Sequence, residues 1–168
     1  MHKNKIIILG LGNEYISDDG IGIHAIREFK KHISSDNYTI EELTTGGIEL
    51  IDYLSGYEKA IIVDAFYTGS NKSGTIYRYK QTTDEEVMKV KSSHQIDLPQ
   101  IIGLAKVLGI AIPDEIIVYG VEAKDITTFN CTCTQEVESA IPRLVNLIRS
   151  ELKENNATTF NKGLEIIN

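Results

Sequence analysis

Short runs of uninterrupted apolar residues alternate along this chain with segments whose apolar residues recur every three or four positions. Lys5-Ile6-Ile7-Ile8-Leu9 stops at Gly10, Lys59 to Asp64 carries Ala60-Ile61-Ile62-Val63, and Glu115 to Gly120 carries Ile116-Ile117-Val118-Tyr119. A strand with no polar face must be covered on both sides, the signature of a parallel sheet buried between helices. The second strand in chain order is expected at Tyr38–Leu43, and the alternating segment Gly74–Lys80 reads as an edge strand. Between the strands, Asp19–Ile33 places Ile23, Ile26, Phe29 and Ile33 on one helical face. A short helix is expected at Ile48–Leu54, opened by Gly46-Gly47 and ended by Gly56. Another spans Leu98–Leu108 with Pro99 in its first turn, and Asp84-Glu85-Glu86 falls in a loop or short helix. The last helix is expected over Gln135–Leu152, capped by Thr132 or Thr134 and kinked at Pro142. The expectation is an α/β protein: a three-layer α/β/α sandwich with a mostly parallel twisted sheet and one edge strand. It forms one domain over residues 1–153, followed by a frayed tail, 154–168.

Composition narrows the function classes. With 168 residues, 42% of them apolar and 24% charged, the chain can bury one sizeable core, so disorder and coiled coil fail as descriptions. No stretch of 18 apolar residues occurs, and the run after the basic Met1–Lys5 segment is too short for a signal peptide. A cytoplasmic protein without a membrane partner is expected. A net charge of −7 argues against a nucleic-acid partner, because a phosphate backbone calls for a basic footprint. Cys131 and Cys133, spaced C-x-C, are awkward for a disulfide and too few for a structural zinc site; they read as reduced thiols.

In an open α/β sheet, ligands bind beyond the carboxyl ends of the strands. The first strand leads there into Gly10-Leu11-Gly12-Asn13 and then Asp18-Asp19-Gly20; the third ends at Asp64; His94 precedes a helix after Ser92-Ser93. Two carboxylates and an imidazole form a donor set suited to zinc, nickel or iron(II) with positions left open. Spacing leaves the ordinary readings standing beside this one: a helix-start aspartate caps, a strand-end aspartate closes a turn, and a single histidine is solvated. Other chemistries fit less well. The third glycine of a dinucleotide fingerprint would fall at Tyr15, no G-x-S-x-G segment occurs, and neither cysteine has a nucleophile's surroundings. His24 and His32 read as surface positions on the first helix.

The segment Ile8-Leu9-Gly10-Leu11-Gly12-Asn13-Glu14-Tyr15-Ile16-Ser17-Asp18-Asp19-Gly20-Ile21-Gly22 resembles the opening of the nickel-iron hydrogenase maturation endopeptidases. Ile62-Val63-Asp64-Ala65 resembles that family's second block and Ser93-His94-Gln95 its third. Thr45-Gly46-Gly47-Ile48-Glu49-Leu50 and Gly120-Val121-Glu122 also fall where the family has comparable segments, so the resemblance spans roughly residues 5–150. It implies an endopeptidase that removes a C-terminal extension from the precursor of the hydrogenase large subunit after nickel insertion. It implies further that Asp19, Asp64 and His94 are both catalytic and metal-contacting, that the nickel is brought by the substrate, and that another divalent metal can bind in vitro. Where the family usually carries an Asp or Cys-Gly before its Gly-Thr, this chain has Glu41-Glu42-Leu43-Thr44-Thr45, and Glu42 is the candidate acid there. After His94, Ile96-Asp97-Leu98-Pro99 replaces the family's frequent Gly-Leu pair. Cys131 and Cys133 match no family signature.

Two alternatives stand beside this expectation. A non-catalytic nickel-binding accessory protein would use the same three residues, although the His-rich or Cys-rich tract that favours storage is missing. Peptidyl-tRNA hydrolase shares Gly-Leu-Gly-Asn after its first strand, but here no histidine follows until His24, and the chain is acidic.

Overall fold

The protein, as a computed structural model, is described for residues 6–33, 38–44, 46–82, 97–153 and 164–167. Among these residues, six strands form one sheet: β1 (Ile6–Leu11), β2 (Tyr38–Leu43), β3 (Lys59–Phe66), β4 (Ile76–Thr82), β5 (Glu115–Glu122) and β6 (Glu165–Ile167), in the order β2-β1-β3-β5-β4-β6. β1 pairs in parallel with β2 on one side and β3 on the other, and β3 pairs in parallel with β5, whereas β4 runs antiparallel to both β5 and β6. The sheet is therefore mixed and mostly parallel, as the apolar runs require.

Among the described residues, five helices cover it: α1 (Ile21–Lys30), α2 (Leu50–Leu54), α3 (Leu98–Leu108), α4 (Gln135–Glu138) and α5 (Ile141–Lys153). Alternation along β1 divides its side chains between two cores. Ile6 and Ile8 face Phe29 of α1 and Leu144 and Ile148 of α5, while Ile7, Leu9 and Leu11 face Leu50 and Leu54 of α2 and Ile101 of α3. These are the three layers expected from sequence. Among the described residues, no helix is long and apolar enough to cross a membrane.

The first helix lies unusually close to the sheet. A Cβ at Gly22 would sit 2.2 Å from the Leu11 carbonyl oxygen and 2.4 Å from that of Val63, so only glycine lets the start of α1 reach the ends of β1 and β3. That contact carries the segment just before α1 over the carboxyl rim.

Several expectations change. The segment expected as an edge strand, residues 74–80, becomes β4, an interior strand with β5 on one side and β6 on the other. The outer strand comes from the region expected to be a frayed tail. Three residues of weak periodicity become a strand because β4 offers them a free antiparallel ladder, and Arg143 Nη2 donates to the Ile167 carbonyl at 2.5 Å. The single last helix is two, α4 and α5, and Pro142 lies in the first turn of α5 rather than kinking a longer helix. Proline has no N–H to donate, and the first turn needs none. The first helix begins two residues later than expected and ends earlier, preceded by a 3₁₀ turn at Ser17–Gly20. β3 and β5 each continue two residues past the expected ends, to Phe66 and Glu122. The acidic segment 84–86 lies outside the described residues.

Candidate functional site

Asp18 and Asp19 are neighbours with different surroundings. The 3₁₀ turn that holds them packs against β3 at the carboxyl end of the parallel strands. Asp18 is fully buried and its carboxylate is surrounded by donors. Backbone N–H groups of Lys124 and Asp125 donate to Oδ2 at 2.8 and 2.9 Å, the Thr134 hydroxyl donates to Oδ2 at 3.0 Å, and Thr134 N–H donates to Oδ1 at 2.6 Å. All come from the segment between β5 and α4. In the sequence this residue is only the neighbour of Asp19 in Asp18-Asp19-Gly20; in the structure it is a clamp joining two loops. Thr134 does precede α4, but its hydroxyl binds Asp18 instead of the helix's own N–H groups.

The clamp holds an uncommon backbone. Ser17 has φ of 28°, in the left-handed region that a side chain normally avoids. Its N–H donates to the Asn130 carbonyl at 2.8 Å, and its carbonyl accepts the Cys133 thiol proton with a sulfur–oxygen distance of 3.7 Å. Asp19, next along, has slight exposure, and its Oδ2 accepts from Asn13 N–H at 3.2 Å.

Asp64 is fully buried on β3, two residues before its end. Its Oδ1 accepts from Ala65 N–H at 2.8 Å. Opposite it in β5 stands Gly120, whose missing side chain leaves room for the Phe66 ring; a Cβ there would lie 2.3 Å from that ring. Phe66 packs in turn on Tyr77 and Tyr79, with ring centroids 5.6 and 6.5 Å apart. The Tyr79 hydroxyl is held well above the ordinary tyrosine range, first by burial and then by the negative charge of Asp64.

His94 lies outside the described residues, as do Ser92, Ser93 and Thr45. The helix after it, α3, is described: Asp97 caps it by accepting from Gln100 N–H at 3.1 Å, with Pro99 in the first turn as expected. A cavity of about 130 Å³ separates this first turn from the Gly46–Ile48 turn. Asp19 and Asp64 thus come from adjoining elements, and among the described residues no group of three or more His, Cys, Asp and Glu side chains is placed to hold a metal ion.

Glu42 is half-buried and committed to Arg27, whose Nε and Nη2 reach its carboxylate at 3.1 and 2.7 Å. Arg27 Nη1 also donates to Glu14 at 2.6 Å, which holds the Glu14 carboxyl below its usual range. The arginine therefore ties β2 to the loop that carries Asn13. His24 and His32 differ. His32 pairs with Glu28 at 3.1 Å on the surface, whereas His24 is half-buried and its pKa is lowered, chiefly by burial and then by Arg27. His24, Cys131, Cys133 and Arg149 line a cleft of about 650 Å³ between α1 and α5, away from Asp64. Burial, reinforced by Asp18 and Glu138, pushes the Cys133 thiol up to about 12, so it is a poor nucleophile; Cys131 is exposed.

Glu122, at the end of β5, has a role that sequence reasoning missed. It is buried and accepts from Thr68 N–H at 3.0 Å, Gly69 N–H at 2.8 Å, the Thr68 hydroxyl at 2.8 Å and the Tyr77 hydroxyl at 2.7 Å. It fixes the chain as it leaves β3, just after Asp64. The resemblance had marked Gly120-Val121-Glu122 as a segment, but nothing local to it names those partners.

The family model for hydrogenase maturation proteases, HycI, matches residues 23–151. The chain belongs to that family. Its function is that of a hydrogenase maturation protease, a hydrolase. It is 30% identical over 157 residues to the hydrogenase expression/formation protein HupD of Bradyrhizobium diazoefficiens, covering 90% of this chain and 79% of that one. It is 26% identical to the hydrogenase 2 maturation protease of Escherichia coli, covering 89% of this chain and 92% of the other. The fold of this maturation protease resembles that of the hydrogenase maturating endopeptidase HybD from E. coli, with a TM-score of 0.74, 22% identity, and coverage of 97% and 96%. A [NiFe] hydrogenase maturation protease HybD from Thermococcus kodakarensis superposes with a TM-score of 0.67 at 24% identity, covering 88% of this chain and 98% of that one.

Proposed function

We propose that this maturation protease removes a C-terminal extension from the nickel-loaded precursor of the hydrogenase large subunit, and that Asp19, Asp64 and His94 meet the nickel carried by that substrate. The observation that carries the reading is the placement of Asp19. The Gly10–Gly22 motif has the spacing of the family's opening, and its 3₁₀ turn packs against the strand that holds Asp64. Carboxylate and imidazole suit a borderline divalent ion that already has other ligands and retains open positions. Such an ion supplies polarisation of a carbonyl or acidification of a bound water.

The chain's own residues do the positioning. Asn13 N–H orients the Asp19 carboxylate from one side, and Ala65 N–H orients that of Asp64. Orientation by backbone donors keeps each acid ready without rearrangement when substrate arrives. Asp18, locked by its donors, holds the turn in register. Because the ion belongs to the substrate, the free enzyme is expected to bind divalent metal only loosely.

The test is processing of nickel-loaded precursor by purified protein, followed by mass spectrometry of the large subunit. Loss of a C-terminal peptide is expected with the wild type and not with Asp19→Asn, Asp64→Asn or His94→Ala, each folded by circular dichroism. Processing at the wild-type rate by all three variants would remove these residues from the reaction. Metal binding with no loss of the extension would favour a nickel-binding accessory role.

A further inference from the structure

Each of the four mutually parallel strands leads, at its carboxyl end, into a loop that exposes one large apolar side chain. After β1 comes Tyr15, 62% exposed; after β2, Ile48, 61%; after β3, Tyr67, 51%; after β5, Phe129, 86%. Scattered exposed apolar residues are ordinary on any protein, but one on each of these four loops, all at the same rim, is a pattern. The loops bearing Tyr15, Tyr67 and Phe129 are held in place by hydrogen bonds. Asn130 N–H donates to the Tyr15 carbonyl at 3.0 Å and Ser17 N–H to the Asn130 carbonyl, so the loops bearing Tyr15 and Phe129 are stitched together. Asp18 clamps the same two loops, and Glu122 clamps the residues after Tyr67 through Thr68 and Gly69. Rigid loops that present rings to water avoid an ordering cost when a partner arrives.

We infer that these four side chains form an apolar collar on which the folded large-subunit precursor seats while its metal-bearing region faces Asp19 and Asp64. The inference rests on the proposed function and adds the surface through which the substrate is recognised. The occupant follows from position. Tyr15 lies two residues beyond Asn13, which donates to Asp19, and Tyr67 lies three beyond Asp64. A macromolecule that brings an ion to those acids therefore meets the collar. Buried aromatic side chains cover roughly 150–250 Å² each, so three rings and an isoleucine supply much of the roughly 800 Å² per partner in a standard interface. A second copy of this chain seated on the same rim would cover the mouth of the site in both molecules. The matching surface on the substrate is an apolar ring around the approach to its metal.

The test compares wild type, Tyr15→Ser/Phe129→Ser, Ile48→Ser/Tyr67→Ser and Val107→Ser. Val107 is 84% exposed but lies near the end of α3, at the opposite rim. All four side chains of the collar are solvent-facing, so the melting temperature of each variant should stay within about 2 °C of wild type. Affinity for the nickel-loaded precursor is measured by biolayer interferometry, separately from cleavage. Each double variant should lose at least tenfold in affinity, and Val107→Ser should match wild type in affinity and in processing. Equal affinity in the double variants, an equal loss in Val107→Ser, or no binding of precursor by wild type would overturn the collar. So would a wild-type dimer in gel filtration that the double variants abolish. Collar-dependent binding without any cleavage would instead retain the collar and remove the protease mechanism proposed above.

Discussion

Asp18→Asn and Asp19→Asn are the same chemical change at adjacent positions, and they should fail in opposite ways. The Asp18 carboxylate accepts from Thr134 N–H on Oδ1 and from Lys124 N–H, Asp125 N–H and the Thr134 hydroxyl on Oδ2. An asparagine keeps the shape but has one oxygen. In its better orientation the oxygen replaces Oδ2, and the amide N–H₂ then faces the Thr134 N–H. That lost bond costs about 1–3 kcal/mol, and the other three become neutral bonds, each about 1 kcal/mol weaker. The donors are only partly buried, so water recovers some of this, leaving roughly 3 kcal/mol. For a chain of this size, such a loss lowers the melting temperature by roughly 6–12 °C. Asp19→Asn retains an oxygen able to accept from Asn13 N–H, so its melting temperature should stay within about 2 °C of wild type while processing stops. Differential scanning calorimetry beside the processing assay separates the two. An Asp18→Asn protein that melts with wild type, or an Asp19→Asn protein that loses as much stability as Asp18→Asn, would refute the division of labour.

Two glycines give a second contrast, read by urea denaturation. Gly22→Ala forces a methyl group onto the Leu11 and Val63 carbonyls and should cost about 3 kcal/mol, whereas Gly103→Ala, with open space around it within α3, should stabilise by about 1 kcal/mol. Thiol titration with Ellman's reagent at pH 8 should count one fast group, Cys131, in the native protein and two after unfolding, since Cys133 is buried with its pKa pushed up to about 12. Alkaline pH should destabilise the protein. Burial raises the pKa values of Cys133, Tyr77, Tyr79 and Tyr119, so the folded state retains protons that the unfolded chain releases from about pH 9 upward. Stability from these groups is complete below pH 9 and falls as pH rises, and a melting temperature unchanged between pH 8 and 10.5 would contradict it.

Much of the architecture is written locally. Runs such as Ile61-Ile62-Val63 have no polar face, and a strand of that kind needs cover on both sides. The three-and-four spacing of Ile23, Ile26 and Phe29 sets which face of α1 meets the sheet. These periods extend over a few residues and survive without any tertiary partner, so strands, layers and the rim that carries Asp19 and Asp64 are legible from the chain. The motif spacing also made the family recognisable.

What depends on distant partners is not legible in that way. Asp18 and Asp19 look interchangeable in sequence; their roles separate because the donors to Asp18 come from 106 to 116 residues away. Glu42 is drawn to Arg27 of α1, Glu122 to the loop after β3, and residues 165–167 to the open edge of β4. Three residues have too little local preference to declare themselves a strand, and a carboxylate does not name its donor in advance. Packing decided those assignments, because a hydrogen bond or ladder exists only once the fold has brought its two halves together.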